Sequence, residues 1–200
     1  MNLLAHAILS PPGNDPLLVG NLTADWIKGR SRRALPPAIQ FGFIVHRHID
    51  GFTDTHPLVA ACIERLSDKW NRYAGILVDI FFDHLLAVNW QRYTPHPLQP
   101  FVAGTYATLR AHRPLLPEAT HYAVDALTTD DWFSTYATLD GIRLTLARMS
   151  MRLRARGHSI DLAPSVDDFP SLELAFHSAF ARFFPELQHH IATLEVLQPQ

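Results

Sequence analysis

His46 and Asp50 stand four residues apart in the run HRHID. Asp79 and Asp83 stand four apart in DIFFDH, with His84 directly after. On an α-helix, residues i and i+4 lie one above the other on the same face. Two helices carrying these pairs would each aim two ligand-capable side chains at one point. Imidazole nitrogen with carboxylate oxygen suits a divalent metal such as Mn²⁺, Fe²⁺ or Zn²⁺. Both pairs follow apolar sequence, FGFIV and GILV. Unpartnered carboxylates and imidazoles are costly in such surroundings, and a metal ion is the economical partner. Taken singly, each residue also fits a hydrogen-bonded structural role; five of them on two apolar helices favour a shared ligand. Asp54 lies just before His56-Pro57 and is expected to cap the next helix unless it joins the stripe. His48 points to another helix face and reads as a surface residue.

The elements that must position these side chains are helices. Residues 2–9 read as a short helix stopped by Pro11, Pro12 and Gly13, and residues 16–27 as a second, running into KGRSRR. Pro36 and Pro37 open a third at 37–54, with proline in its favoured first turn, and Pro57 opens a fourth at 57–69. The fifth, 72–92, carries the aspartate pair. Its apolar positions Ile76, Ile80, Leu86, Val88 and Trp90 fall around most of the circumference, so it should be central and buried. Further helices are expected at 101–112, 117–127 and 139–155. A loop follows at 158–170, then a last long helix at 171–195 with a kink at Pro185. No alternating strand pattern, internal repeat or low-complexity tract is present. The expectation is an all-α, single-domain helical bundle spanning 1–200.

The chain has 200 residues, 48% of them hydrophobic, which is ample for a core. A net charge of −2 gives no global attraction to nucleic acid or membrane. The single cysteine, Cys62, excludes an internal disulfide and a cysteine-based zinc site, and fits a reducing compartment. The opening MNLLAHAILSPPGND lacks a basic start and is interrupted by His6, so it reads as structure and not as a signal peptide. The most apolar run, GILVDIFF, holds Asp79 in its middle, so no membrane span is expected. A soluble, cytoplasmic protein follows.

Four blocks stand out: Asn2-Leu3-Leu4-Ala5-His6; Gly20-Asn21-Leu22 with Asp25 and Gly29; His46-Arg47 and Ile49-Asp50 with Thr53-Asp54; and Asp83-His84 with Trp90. The set resembles the helical HD phosphohydrolases, which hold a divalent metal with His, His-Asp and Asp on neighbouring helices, although the dyad here runs Asp83-His84. In order and spacing over roughly the first 95 residues, the four blocks more closely resemble the acyl carrier protein phosphodiesterase family, a non-standard branch of that group. The resemblance implies an HD-like helical fold and a Mn²⁺-dependent hydrolase. Its substrate would be holo-acyl carrier protein, cleaved at the phosphodiester that joins 4′-phosphopantetheine to the carrier's serine. The residue pattern alone implies only metal-assisted phosphoester hydrolysis. His46, Asp83 and His84 are then the expected ligands, with Asp25, Asp50 or Asp79 completing or orienting the set. His6 is a ligand or a general acid, and Arg47 or Lys28 holds the phosphate.

A carrier with an acidic recognition helix calls for a basic surface. Lys28, Arg30, Arg32 and Arg33 follow directly on the Asp25 block, and Arg148, Arg152 and Arg156 form an i, i+4, i+8 line farther on. Arginine suits phosphate and carboxylate because its planar fork engages two oxygens. Two other readings compete: an HD-like nucleotide phosphohydrolase, which needs no extended basic face, and a non-catalytic helical binding protein, which needs no metal. RNA binding is disfavoured, because aromatic residues are not interleaved with the basic runs.

Overall fold

The computed structural model describes residues 1–195, and among them there is no strand. The α-helices in chain order are α1 (Leu3–Ile8), α2 (Asp15–Thr23), α3 (Arg30–Arg33), α4 (Pro37–Thr55), α5 (Pro57–Trp70) and α6 (Ala74–Val88). They continue with α7 (Leu98–His112), α8 (Glu118–Thr129), α9 (Trp132–Thr135), α10 (Leu139–Ala155) and α11 (Phe169–Glu195). The protein is all-α, as expected from its sequence. Two short helices, α3 and α9, were not anticipated, and 3₁₀ turns flank α6 at Asn71–Tyr73 and Trp90–Arg92. The presumed loop before α11 contains a 3₁₀ turn at Ala163–Asp168. Among the described residues, no helix is long and apolar enough to cross a membrane.

The starts of the helices follow from local chemistry. Proline occupies the first turn of α2, α4 and α5, where its missing N–H costs nothing. Asn14 caps α2 by accepting from the Leu17 N–H at 3.2 Å, and Thr138 caps α10 through Gly141 at 3.1 Å. The cap of α5 is His56, not Asp54: its Nδ1 accepts from the Leu58 N–H at 3.2 Å. Asp54 lies two residues earlier, inside α4 and exposed.

Helix α6 is central. Leu77, Val78, Ile80, Phe81, Phe82, Leu85 and Leu86 are all buried. Helix α11 covers it with a phenylalanine ladder in which Phe81 meets Phe169 at 4.9 Å between ring centroids and Phe82 meets Phe180 at 5.1 Å. Such tilted and edge-on pairs add to simple burial. Helix α11 continues through Pro185.

Helices α2 and α4 form the closest pairing in the fold. A Cβ at Gly20 would collide with the main-chain carbonyl of Ile39, and one at Gly42 with that of Leu17 and the Asn21 amide. The helices therefore touch backbone to backbone, which only glycine allows at both positions. Gly20→Ala is expected to destabilise by about 1–3 kcal/mol through overpacking. The melting temperature should fall by roughly 2–4 °C per kcal/mol for a chain of this size. Gly104→Ala, inside α7 with nothing within 4 Å of the new methyl, should instead be neutral or stabilising by up to ~1 kcal/mol. Thermal unfolding followed by circular dichroism compares the two. A Gly20→Ala melt as high as that of Gly104→Ala would contradict the backbone contact.

Candidate metal centre

Where α1, α2 and α4 meet, three side chains converge. His6, His46 and Asp50 each offer a ligand atom, all within 4.8 Å of one another, and theirs is the group of this kind found among the described residues. The His6 and His46 rings stack at 4.2 Å between centroids with planes 22° apart. Their Nε2 atoms share one carboxylate: His6 Nε2 lies 3.2 Å from Asp50 Oδ1 and His46 Nε2 lies 3.1 Å from Asp50 Oδ2. The i, i+4 spacing of His46 and Asp50 gives that second contact directly. Asp25, just beyond the end of α2 and largely exposed, brings Oδ1 to 3.6 Å from His46 Nε2.

Both Nδ1 atoms face Asn21. The His6 Nδ1 lies 2.8 Å from the Asn21 side-chain oxygen, and the His46 Nδ1 lies 2.8 Å from the Asn21 main-chain oxygen. Asn21 is fully buried. Its amide nitrogen donates to the His6 carbonyl at 2.8 Å and to Ser10 Oγ at 3.0 Å. Reading the sequence for titratable groups passed over Asn21, although its place in the Gly20-Asn21-Leu22 block next to a crossing glycine was the available signal.

The electrostatics follow from this crowding. Burial alone would lower the proton affinity of His46, but Asp25 and Asp50 outweigh it and raise its pKa to about 9. Burial and the neighbouring His46 lower that of His6, against the pull of Asp50. Burial would raise Asp50, yet the two imidazoles hold its carboxyl far below the usual range. Asp25 is also lowered, chiefly by His46.

The chemistry of this set fits a divalent cation. His46 Nε2 is buried, and among the described residues no acceptor lies in line with it, despite two nearby carboxylates. A buried nitrogen without an aligned partner is a position that a ligand can occupy. Two imidazoles and a carboxylate are the donors that such ions take.

The second aspartate pair is placed differently from the expectation. Asp83 is completely buried and accepts from the main-chain N–H groups of Leu4 at 2.8 Å and Ala5 at 3.3 Å. It therefore serves the N-terminus of α1. Burial pushes its carboxyl up to about 7, against those two N–H bonds. His84 donates from Nδ1 to the Tyr136 carbonyl at 2.7 Å and meets Phe169 edge-on. Neither joins the group around His46. Asp79 is 3.2 Å from the Met1 nitrogen, which also lies 3.8 Å from Asp50.

The basic residues divide as well. Lys28, Arg30, Arg33 and Arg47 are exposed. Arg32 is occupied internally: it donates to the Ala24 carbonyl at 2.8 Å and lies 4.4 Å over the Phe43 ring. Arg148 sits 3.6 Å from Asp130, and Arg152 lies 4.9 Å over Trp132.

The all-α fold thus brings two buried histidines and a half-buried aspartate together at a helix junction, a group able to hold a metal ion. Comparison narrows the class. The family model for acyl carrier protein phosphodiesterase matches residues 1–187. The chain is 33% identical to acyl carrier protein phosphodiesterase of Serratia proteamaculans over 191 residues, which is 94% of this chain and 95% of that one. It is 31% identical to the protein of the same name in Pectobacterium atrosepticum over 197 residues, 98% and 100% of the two chains. No solved structure matches significantly. The chain belongs to the acyl carrier protein phosphodiesterase family.

The placement of Asp83 leads to a test in stability. A carboxyl whose pKa rises on folding favours folding most below its unfolded value, near 4. That advantage disappears as pH rises through its folded value, about 7. The stability of the wild type relative to Asp83→Asn should therefore fall steadily between about pH 4 and pH 7. Asp83→Ala, which strands two buried N–H groups, should cost about 2–4 kcal/mol. Urea unfolding across that range measures both. A pH-independent difference between wild type and Asp83→Asn would show that Asp83 does not take up a proton on folding.

Proposed function

We propose that this protein is a metal-dependent hydrolase that removes 4′-phosphopantetheine from holo-acyl carrier protein. The cleaved phosphodiester is the one at the carrier's serine. The observation that carries this reading is the buried, unpartnered Nε2 of His46, set beside Asp50 and Asp25 and stacked with His6, in a chain of this family. Mn²⁺ is the proposed ion.

His6, His46 and Asp50 would hold the metal, and Asp25 would complete the set from the solvent side. When bound, the divalent ion supplies Lewis acidity, drawing charge from the phosphodiester and making water a competent nucleophile near neutral pH. The reaction adds the oxygen of water to phosphorus and breaks the bond from phosphorus to the serine oxygen, which leaves with a proton. A general-acid role for His6 finds less support than a ligand role: its pKa is lowered, and Asn21 holds its proton on Nδ1, which leaves Nε2 with none to give beside His46 and Asp50. Asp25, held below the ordinary carboxylate range, is a poor proton acceptor and suits a ligand better than a base. Asp83 and His84 act in this reading as structural supports of α1 and of the turn at Tyr136. Asp79 faces the positive Met1 amine, as Asp50 does from farther away.

Lys28 and Arg47 would meet the phosphate or the acidic carrier. Of the two basic clusters, 28–33 adjoins Asp25 in sequence, and within it Arg30 and Arg33 are the proposed docking pair. Arg32 is better described as a brace, given its bond to the Ala24 carbonyl. Arg148 and Arg152 form a secondary face of the same sign.

The test is incubation with holo-acyl carrier protein and Mn²⁺, read by intact mass of the carrier. Loss of the phosphopantetheine mass is expected, with activity abolished by a chelator and restored by Mn²⁺. His46→Ala and Asp50→Ala should each reduce turnover at least about 100-fold, the upper range seen for perturbed metal sites, while His48→Ala should be nearly silent. Full turnover by chelator-treated, metal-stripped protein would remove the mechanism. Nucleotide turnover without action on the carrier would favour an HD-like nucleotidase.

Docking has its own measurement. Charge reversal at Arg30 and Arg33 together should raise KM for the carrier severalfold and leave kcat nearly unchanged. The effect should shrink as salt screens the attraction. A KM indifferent to both the substitutions and salt would place carrier recognition elsewhere.

A further inference from the structure

Both imidazoles present the same nitrogen to Asp50, and their other nitrogens decide whether they can. Imidazole carries its proton on either nitrogen when neutral, and the partner of one nitrogen decides the fate of the other. Here both partners belong to one residue. Resting on the proposed metal centre and deepening it, we infer that Asn21 is the positioning residue that keeps Nδ1 protonated on both rings and turns Nε2 toward Asp50.

The hydrogen-bond inventory of Asn21 leaves no alternative orientation. An asparagine amide could be turned over, exchanging its oxygen and nitrogen. In this protein the NH₂ group reaches two oxygens, the His6 carbonyl at 2.8 Å and Ser10 Oγ at 3.0 Å. The carbonyl can only accept, so the nitrogen must face it. The side-chain oxygen therefore faces His6 Nδ1 at 2.8 Å and can only accept there, which puts the His6 proton on Nδ1. The main-chain oxygen faces His46 Nδ1 at 2.8 Å and imposes the same state by the same logic. Ser10 is itself tied, donating from its hydroxyl to the His6 carbonyl at 3.0 Å. The His6 main chain, Ser10 and Asn21 thus form a closed buried network on the far side of the rings from Asp50.

The two contacts differ in one respect that makes the inference testable. His6 depends on the Asn21 side chain, whereas His46 depends on its backbone, which survives any substitution. Asn21→Ala should therefore release one ring and not the other. General loosening of α2 would disturb both. Asn21→Asp keeps an acceptor oxygen toward His6 and should retain the Nδ1 proton there, as carboxylates do behind metal-bound histidines.

Long-range ¹H–¹⁵N correlation spectra of histidine-labelled protein report the protonated nitrogen of each ring. In the metal-free wild type, His6 is expected to carry its proton on Nδ1. In Asn21→Ala, His6 should shift toward the Nε2-protonated form while the His46 Nδ1–H remains, and in Asn21→Asp the His6 pattern should return toward that of the wild type. Calorimetric titration with Mn²⁺ should show an affinity about 10- to 100-fold weaker for Asn21→Ala. Wild-type His6 protonated on Nε2 would overturn the inference even if the alanine variant does not fold. Unchanged His6 tautomer and Mn²⁺ affinity in a folded Asn21→Ala would overturn it equally. A wild type that binds no Mn²⁺ yet shows His6 protonated on Nδ1 would sink the proposed function and leave the Asn21 assignment standing.

Discussion

The site depends on how closely α2 and α4 approach. Gly20 and Gly42 let the two backbones touch, and a side chain at either would strike a main-chain carbonyl. Glycine inside a helix costs about 1 kcal/mol relative to alanine, so two of them at one crossing are a local sacrifice. What they permit is specific. Asn21 follows Gly20 directly, and with the helices in contact its own carbonyl comes within 2.8 Å of the His46 ring. Separation by a methyl group would open that bond, and the same helix presents the Asn21 side chain to His6. The glycine contact is thus a packing feature whose consequence is chemical.

Much of the architecture was legible because prolines mark helix starts. The first turns of α4 and α5 begin at the prolines that announce them, and the apolar circumference of α6 correctly marked it as central. His46 and Asp50 were legible for a simpler reason. Both lie on one helix, four residues apart, so their geometry is set by the backbone alone.

The aspartate and histidine of α6 were less legible, and the reason lies in α1. A helix start leaves N–H groups without partners. The nearby residue able to cap them is Asn2, but its amide instead donates to the Tyr136 hydroxyl at 2.8 Å. The vacancy is filled from 79 positions away by Asp83. Nothing in the local pattern distinguishes a carboxylate that will cap a distant helix from one that will bind a metal, since both are buried acids on an apolar face. Arg32 illustrates the same limit on the surface. Its neighbours in the run 28–33 are exposed, while it turns inward to Phe43 and the Ala24 carbonyl.

The proton and the cation compete for one lone pair. In the protein as built, His46 holds its proton tightly because two carboxylates face Nε2, which raises its pKa to about 9 despite burial. That proton is poorly placed: the distance to Asp50 is short, yet the N–H lacks an acceptor in line. A centre optimised for an imidazolium would align that bond. A centre optimised for a divalent ion needs the carboxylates splayed around the lone pair, and the same negative charge that holds a proton attracts an ion of twice the charge more strongly. Burial of both rings and the Nδ1 partners supplied by Asn21 act in that direction, because they leave Nε2 turned toward the shared Asp50. The contact at His46 is short but out of line, a geometry that would suit a cation set among these donors.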